Sequence, residues 1–323
     1  MKVYNTIDRL PAFNKSVVTI GTFDGVHLGH QQIIAQLKKE AHRIGGETVL
    51  VTFEPHPRKI VSSKPLQLIN TLSEKIELLE KQAIDNLVVV PFTRAFADQP
   101  ANAYVEDFLV KQFHPHTVII GYDHHFGKNR SGDFKLLEAY AGKHTFELIE
   151  IPVHLVDQAA ISSTKIREAL LTGKAEEANR FLGYDYFFDG RVMEGNKLGR
   201  TIGYPTANLQ PQTEDKLIPG NGVYAVRAAV IKNTVNGNTD DLLPPGINRS
   251  SYKGMMNIGT RPTVDGTKRV IEVNLFNFNE DIYGQTIRVY VHSYLRKEQK
   301  FAGLDALKEQ LARDRNAAMA ALA

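Results

Sequence analysis

The sequence predicts an α/β half followed by an all-β half, and three observations carry that prediction. From residue 17 to about 183, short unbroken apolar runs alternate with segments of helical periodicity, whereas beyond Gly183 apolar residues recur at every second position. Three segments of the first half, dense in His, Asp, Ser and Gly, fall where strands give way to helices, which is where a parallel sheet gathers its chemistry. With 323 residues the chain has room for two domains, and the change of period divides it into 1–183 and 184–323.

The runs of the first half are VVTIG from Val17, TVLVTF from Thr48, LVVVPF from Leu87, TVIIGYD from Thr117 and FELIEIPV from Phe146. Each is rich in β-branched residues and lacks polar alternation, the pattern of strands buried on both faces of a doubly wound parallel sheet. Between the first two, Ile33, Ile34, Leu37, Ala41 and Ile44 recur at helical spacing. Thr71 and Glu74 form a capping box that opens a helix carrying Ile76 and Leu79.

In the second half Ile271, Val273 and Leu275 point one way and Glu272 and Asn274 the other; Ile287, Val289 and Val291 alternate with Arg288, Tyr290 and His292. With GVYAVRAAVI and SYKGMMNIG this predicts an antiparallel barrel or sandwich. Leu304, Leu307 and Leu311 then predict a closing helix that packs on it. Residues 232–250, with NGN, DD and PPG, read as a long exposed loop.

Composition excludes several kinds of chemistry. No cysteine is present, so disulfides, thiolate zinc sites and a cysteine nucleophile are ruled out together, and any metal must sit on oxygen or imidazole. Lys plus Arg number 39 against 36 acidic residues and are spread along the chain, which gives no footprint for nucleic acid. The opening MKVYNTIDRLPAFNK lacks the apolar core of a signal peptide, and no run approaches the about 20 residues of a membrane span. A cytoplasmic protein without a membrane span is therefore expected; the charge does not separate a nucleotide from a polynucleotide, and nothing in the sequence speaks to the oligomeric state.

The stretch GTFDGVHLGH, residues 21–30, leads from the first run into a helix. Gly21 and Gly25 let the main chain approach a ligand closely, and the first free amides of the helix favour an anion. His27 and His30 would project towards the same phosphate, where imidazole donates a hydrogen bond as charge builds in the transition state. An HxxH pair alone is equally compatible with surface or core histidine. The whole string closely resembles the nucleotide-binding signature of the nucleotidylyltransferase superfamily. Its Phe23-Asp24-Gly25 form resembles the FMN adenylyltransferase module of bacterial bifunctional riboflavin kinase/FAD synthetases.

That resemblance implies a Rossmann-like nucleotidyltransferase domain in which His27 and His30 hold the ATP phosphates and Gly21, Phe23, Asp24 and Gly25 shape the nucleotide site. TFEPHP, residues 52–57, resembles the family's segment after the second strand. GYDHHFG, residues 121–127, resembles its G-x-D-F-x-F-G loop, which gives Asp123 to the nucleotide; His124 replaces an aromatic there. ISSTKIR, residues 161–167, resembles the loop that embraces ATP phosphates, so Ser162, Ser163 and Thr164 are expected to bind nucleotide and Arg167 to act in catalysis. Read alone, Ser162 would be only a helix cap.

No G-x-x-x-x-G-K-[ST] loop occurs. In its place GNKLGRTIGYPTANL, residues 195–209, offers Gly195, Gly199 and Gly203 for a tight loop, Lys197 and Arg200 for charge, and Thr206 and Asn208 as oxygen ligands suited to Mg²⁺. GRTIGYPTAN resembles the phosphate and metal loop of riboflavin kinase, which implies a barrel of that type in this half. The resemblance gives Gly199, Arg200 and Gly203 to the nucleotide, Thr206 and Asn208 to Mg²⁺, and to Glu272 the role of base for the riboflavin 5′-hydroxyl. Asn257, Gly259, Arg261 and Thr263, in NIGTRPT, would shape that site, and Arg296 would contact flavin.

The resemblance spans about residues 15–315 and implies a bifunctional enzyme: riboflavin and ATP give FMN, then FMN and a second ATP give FAD and pyrophosphate. ATP, Mg²⁺ and the flavins are the implied cofactors and substrates, so the resemblance implies small-molecule substrates and neither nucleic-acid nor membrane partners. One rival is a nucleotidyltransferase for another phosphate ester whose barrel only recognises substrate. Another is a flavin- or nucleic-acid-binding regulator that has lost catalysis.

Overall fold

The computed structural model describes residues 1–121, 124–144, 146–151, 161–195, 198–231, 251–263 and 266–323. It divides into two compact units, Met1–Ser162 and Ser163–Ala323.

In the first unit, strands β1 (Lys2–Tyr4), β2 (Val17–Ile20), β3 (Thr48–Glu54), β4 (Asn86–Pro91), β5 (Thr117–Gly121) and β6 (Glu147–Ile151) form one sheet. Their order is β1-β4-β3-β2-β5-β6, and every pair is parallel. The strands predicted from the apolar runs are all present. Val18, Ile20, Val49, Val51, Val88 and Val90 pack against Tyr104, Val105, Phe108 and Leu109 of the helical segment 101–113. Helix Leu28–Ile44 covers β2, β3 and β5 and buries Ile34, Leu37 and Ala41. The capping box at Thr71 forms, with the Glu74 amide donating to Thr71 Oγ1 at 3.3 Å and the Thr71 amide to the Glu74 carboxylate at 2.8 Å. Strand β1 has no counterpart in the apolar pattern: its three residues are partly or fully exposed and gain their conformation by pairing with β4.

Chain order runs outward in opposite directions from β2, towards β3 on one side and β5 on the other. Such a reversal opens a crevice at the carboxyl ends of the strands, and the turn of residues 21–27 leaves β2 at that end.

In the second unit, β7 (Tyr186–Met193), β8 (Ala207–Pro211), β9 (Gly222–Ile231), β10 (Tyr252–Thr263), β11 (Gly266–Leu275) and β12 (Thr286–Arg296) close into a barrel in the order β10-β11-β8-β7-β12-β9. All neighbours are antiparallel. Of the two arrangements the alternation permits, this is the barrel, which leaves no strand edge unpaired. Helices Ser163–Leu171 and Ala175–Leu182 belong by contact to this unit. The Asn179 side-chain amide donates to the carbonyls of Val291 (2.9 Å) and His292 (3.1 Å), and its oxygen accepts from the Tyr186 amide at 2.8 Å.

The closing helix, Leu304–Ala321, packs on β9, β10 and β12. Its buried stripe is not the one that begins at Leu304, which is 52% exposed. Asp314 and Ala318 are the residues it buries, and Leu311 packs with Ala318 against Met255 and Phe276. Arg296 of β12 grips Asp314 with two bonds, Nε to Oδ1 at 2.8 Å and an η nitrogen to Oδ2 at 2.6 Å, and Gln310 adds a third at 2.8 Å. Because the Asp314 carboxylate lies inside, Arg296→Met is expected to cost about 3 kcal/mol by leaving it without its cation. Urea denaturation of the full chain would show this as a lower midpoint.

Candidate functional site

The turn between β2 and helix Leu28–Ile44 is built tightly. Phe23 (φ 47°), Gly25 (φ 94°) and Val26 (φ 37°) take left-handed backbone, and the Val26 amide donates to the Phe23 carbonyl at 3.2 Å. At Gly21 a Cβ would stand 3.1 Å from the Phe23 ring, so its smallness makes room for that side chain. Asp24 is buried, and its Oδ1 accepts from the amides of Ile69 (3.0 Å) and Asn70 (3.2 Å), which ties the turn to the segment ahead of helix Leu72–Glu80.

His27 caps helix Leu28–Ile44. Its Nδ1 accepts from the His30 amide at 3.3 Å, so in the neutral ring the proton sits on Nε2. The His30 ring stacks on His27 with centroids 3.6 Å apart at 16° and lies 5.0 Å from Phe23. Burial holds His30 well below the ordinary imidazole pKa, with His27 and then Lys75 adding to the effect. The two histidines read from the sequence thus form one unit at a helix start beside the crevice.

Lys75 was missed by the sequence reading. It is 4% exposed on helix Leu72–Glu80 and donates to Thr52 Oγ1 at 3.3 Å; Thr52 in turn donates to the Thr22 carbonyl at 3.1 Å. The available signal was a lysine inside the apolar stripe Leu72, Ile76, Leu79.

Asp123 lies outside the described residues. His124, which stands in the aromatic position of that loop, has its ring 5.7 Å from Phe126. Ser162 ends the first unit, and Ser163 and Thr164 open helix Ser163–Leu171 of the second. Ile166, Ala169 and Leu170 form the buried side of that helix, and Ser163 and Arg167 lie one turn apart.

The second constellation stands on the outer face of the barrel. Glu272 on β11 is directly opposite Asn208 on β8 and Asn257 on β10, and Asn208 is opposite Met193 on β7. Paired positions project to the same face, so these four side chains form one row across four strands. Ile271 and Val273 are buried on the other face, as the alternation predicts. Asn208 therefore belongs to a strand that the glycine-rich sequence concealed.

The preceding loop folds back onto this row. The Asn274 side-chain amide donates to the Pro205 carbonyl at 2.6 Å, and Tyr204 packs in the cluster beneath the closing helix. Gly195 lies against the Asn208 side-chain amide, and Gly199 against the Tyr204 backbone carbonyl, which leaves no room for a Cβ at Gly199. At Gly199 a Cβ would also reach to 3.4 Å from Thr206 Oγ1. Gly203 takes left-handed backbone (φ 84°) at the bend, and Arg200 is exposed on the short helix Leu198–Thr201. Lys197 lies outside the described residues.

Arg261 pairs with Glu272, η nitrogen to Oε1 at 2.7 Å, and the Glu272 side chain is 18% exposed. Gly259 abuts the Glu298 carboxylate. Thr263 ends β10. Arg296 has its guanidinium on Asp314 and on the Lys297 carbonyl (2.9 Å), which makes it an anchor of the closing helix.

The row offers the amide oxygens of Asn208 and Asn257 and the Glu272 carboxylate, and the Thr206 hydroxyl stands just before its strand. That hard-oxygen set, with few charges, fits Mg²⁺ held jointly with nucleotide phosphates rather than in a protein cage. Among the described residues no group of three His, Asp or Glu side chains could hold a metal unaided. Asn274→Ala is expected to release Pro205, loosen Thr206 and raise the KM for Mg-ATP by about tenfold in a phosphotransfer assay of this unit.

Residues 10–165 match a family model described as FAD synthetase, and residues 182–322 one described as riboflavin kinase. The chain is 38% identical to a bifunctional riboflavin kinase/FMN adenylyltransferase of Haemophilus influenzae, over 92% of this chain and 91% of that one. It is also 38% identical to the Listeria monocytogenes protein of the same description, over 96% and 93%. A solved structure from Streptococcus pneumoniae, described as a macrolide-efflux protein, matches with a TM-score of 0.84 at 30% identity over 98% of both chains. Among the described residues of this chain no helix is long and apolar enough to cross a membrane. Matched in both halves, in order, and along nearly its whole length, the chain belongs to the bifunctional riboflavin kinase/FMN adenylyltransferase family.

Proposed function

We propose that the chain makes FAD from riboflavin in two ATP-dependent steps, with riboflavin kinase activity in residues 184–323 and FMN adenylyltransferase activity in residues 1–183. The family models, ending at 165 and opening at 182, support that division. The observation that carries the kinase reading is the register that sets Glu272 opposite Asn208.

In the first step the γ-phosphoryl group moves from ATP to the 5′-oxygen of riboflavin, and the hydroxyl proton passes to Glu272. Arg261 holds one carboxylate oxygen and so orients the base. Thr206 and Asn208 would hold Mg²⁺, which when bound neutralises charge on the phosphates. Gly199, Arg200 and Gly203 shape and charge the phosphate loop.

In the second step the FMN phosphate is already an anionic nucleophile and demands no strong base. It displaces pyrophosphate from the α-phosphorus of ATP. His27 and His30 orient the triphosphate and stabilise the charge that develops there, with Gly21, Phe23, Asp24 and Gly25 shaping the turn that carries them. The family resemblance adds Asp123, Ser162, Ser163, Thr164 and Arg167 to this reaction.

Cytoplasmic location and small-molecule substrates alone complete the reading. Chromatography of the full chain with Mg-ATP, supplied once with riboflavin and once with FMN, tests it. FMN followed by FAD is expected from the first and FAD from the second; FAD from FMN alone would reduce the barrel to a binding module.

A further inference from the structure

Asparagine is disfavoured in the middle of a strand. Strands β10 and β11 each carry one on the outer face of the barrel, Asn257 and Asn274, and the two are held differently. Asn274 is buried, and its side-chain amide donates to the Pro205 carbonyl at 2.6 Å. Asn257 is half-buried, and among the described residues its side chain makes no hydrogen bond. Its neighbours Met256 and Ile258 are fully buried in the barrel, so alternation turns Asn257 outward.

Along β10 the flanking outward positions are covered: Met255 packs with Ala318 of the closing helix, and Gly259 lies against the Glu298 carboxylate. Across the strands, the residue opposite Asn257 on β9 is the buried Val223, and the one opposite it on β11 is Glu272. Asn257 is thus the polar position that ends the row on the β10 side, with its Cβ about 5 Å from that of Glu272.

The order of the row gives the reaction a direction. In-line transfer places the attacking and leaving oxygens on opposite sides of the phosphorus. Thr206 and Asn208, the residues for metal and phosphates, lie on the β8 side of Glu272. ADP therefore departs on that side, and the alcohol reaches Glu272 from the β10 side. The alcohol belongs to a polyol chain, and the first polar group behind the reacting 5′-hydroxyl is the 4′-hydroxyl. A carboxamide both donates and accepts, which matches a hydroxyl that does the same.

We propose that Asn257 is a specificity-determining residue of the kinase site: its side-chain amide binds the ribityl 4′-hydroxyl of riboflavin and so holds the 5′-oxygen against Glu272. The proposal rests on the assignment of Glu272 as base and of Thr206 and Asn208 to metal and phosphates.

The test assays the full chain as wild type, Asn257→Ala and Asn257→Ser at saturating Mg-ATP, with riboflavin and with 4′-deoxyriboflavin. Removing the 4′-hydroxyl is expected to lower kcat/KM of the wild type about tenfold, and Asn257→Ala should lower it about tenfold for riboflavin. The two losses should not add. Asn257→Ala should turn over both substrates within about twofold of the wild-type rate on 4′-deoxyriboflavin, the coupling expected of groups in contact. That equality also shows the alanine variant to be folded. Asn257→Ser, with a shorter donor and acceptor, should keep part of the preference for riboflavin, and the KM for Mg-ATP should be the same in all three proteins.

A wild type indifferent to the 4′-hydroxyl would overturn the proposal. So would a loss in Asn257→Ala by the same factor on both substrates, matched in Asn257→Ser, which is the result of a packing role or of an effect on Glu272 alone. In both cases the wild type still phosphorylates riboflavin and the kinase reading stands. No phosphorylation of riboflavin by the wild type would overturn that reading, and the proposal with it.

Discussion

Glu272→Gln is expected to lower kcat for riboflavin phosphorylation by about 10²- to 10⁴-fold while FMN adenylylation by the same protein is unchanged. Glutamine keeps the shape of the side chain and an oxygen for Arg261, so the row Met193, Asn208, Glu272, Asn257 stays assembled and the KM for Mg-ATP should move little. What is lost is the ability to take the proton of a primary alcohol, and Glu272 is the carboxylate of that row. Initial rates of FMN formation, with FAD formation from supplied FMN as the internal control, separate the two activities. Retention of most kinase activity would remove Glu272 from the role of base and leave it as the ion-pair partner of Arg261.

His30→Ala is expected to do the converse, lowering kcat for FAD formation from FMN by about 10²- to 10³-fold and sparing riboflavin phosphorylation. The loss should exceed that of a single exposed hydrogen bond, because His30 is one face of the stack with His27 and its amide is the donor that fixes the His27 ring. Alanine keeps that amide, so His27 retains its cap and the effect reports the His30 ring itself. His30→Asn, which restores a side-chain donor of similar reach, should recover part of the rate. Equal loss of both activities in a folded protein would contradict the separation of the two sites.

Much of this was legible in the chain. Unbroken β-branched runs can only be buried on both faces, so the parallel sheet followed from them. Alternation around Glu272 put its side chain on the strand face away from Ile271 and Val273, and Thr71 with Glu74 announced a helix start that forms as read. The string GTFDGVHLGH, whose resemblance singled out His27 and His30, is local: a turn, a cap and the next helical residue lie within ten positions of sequence, and the two rings do stack.

The elements that escaped are those whose signal is not local. Strand β1 is three residues held by pairing with β4, and Asn208 lies in a strand hidden by a glycine-rich loop, because pairing between distant segments leaves no periodicity in so short a run. Leu304 fits the apolar repeat of the closing helix yet is exposed, since the stripe that packs is set by where the barrel wall lies. Arg296 pairs with Asp314, which sequence separation concealed.

What the sequence by itself determined is the class of each half, the order of its elements and the short strings that resemble phosphate-binding motifs. Only the tertiary structure decided that the alternating half closes into a barrel, that Glu272 faces Asn208, and that a buried lysine of helix Leu72–Glu80 bonds Thr52 at the end of the sheet. The physical reason is that periodicity and turn chemistry are properties of neighbours along the chain, whereas strand register and the burial of a charge depend on residues that folding brings together.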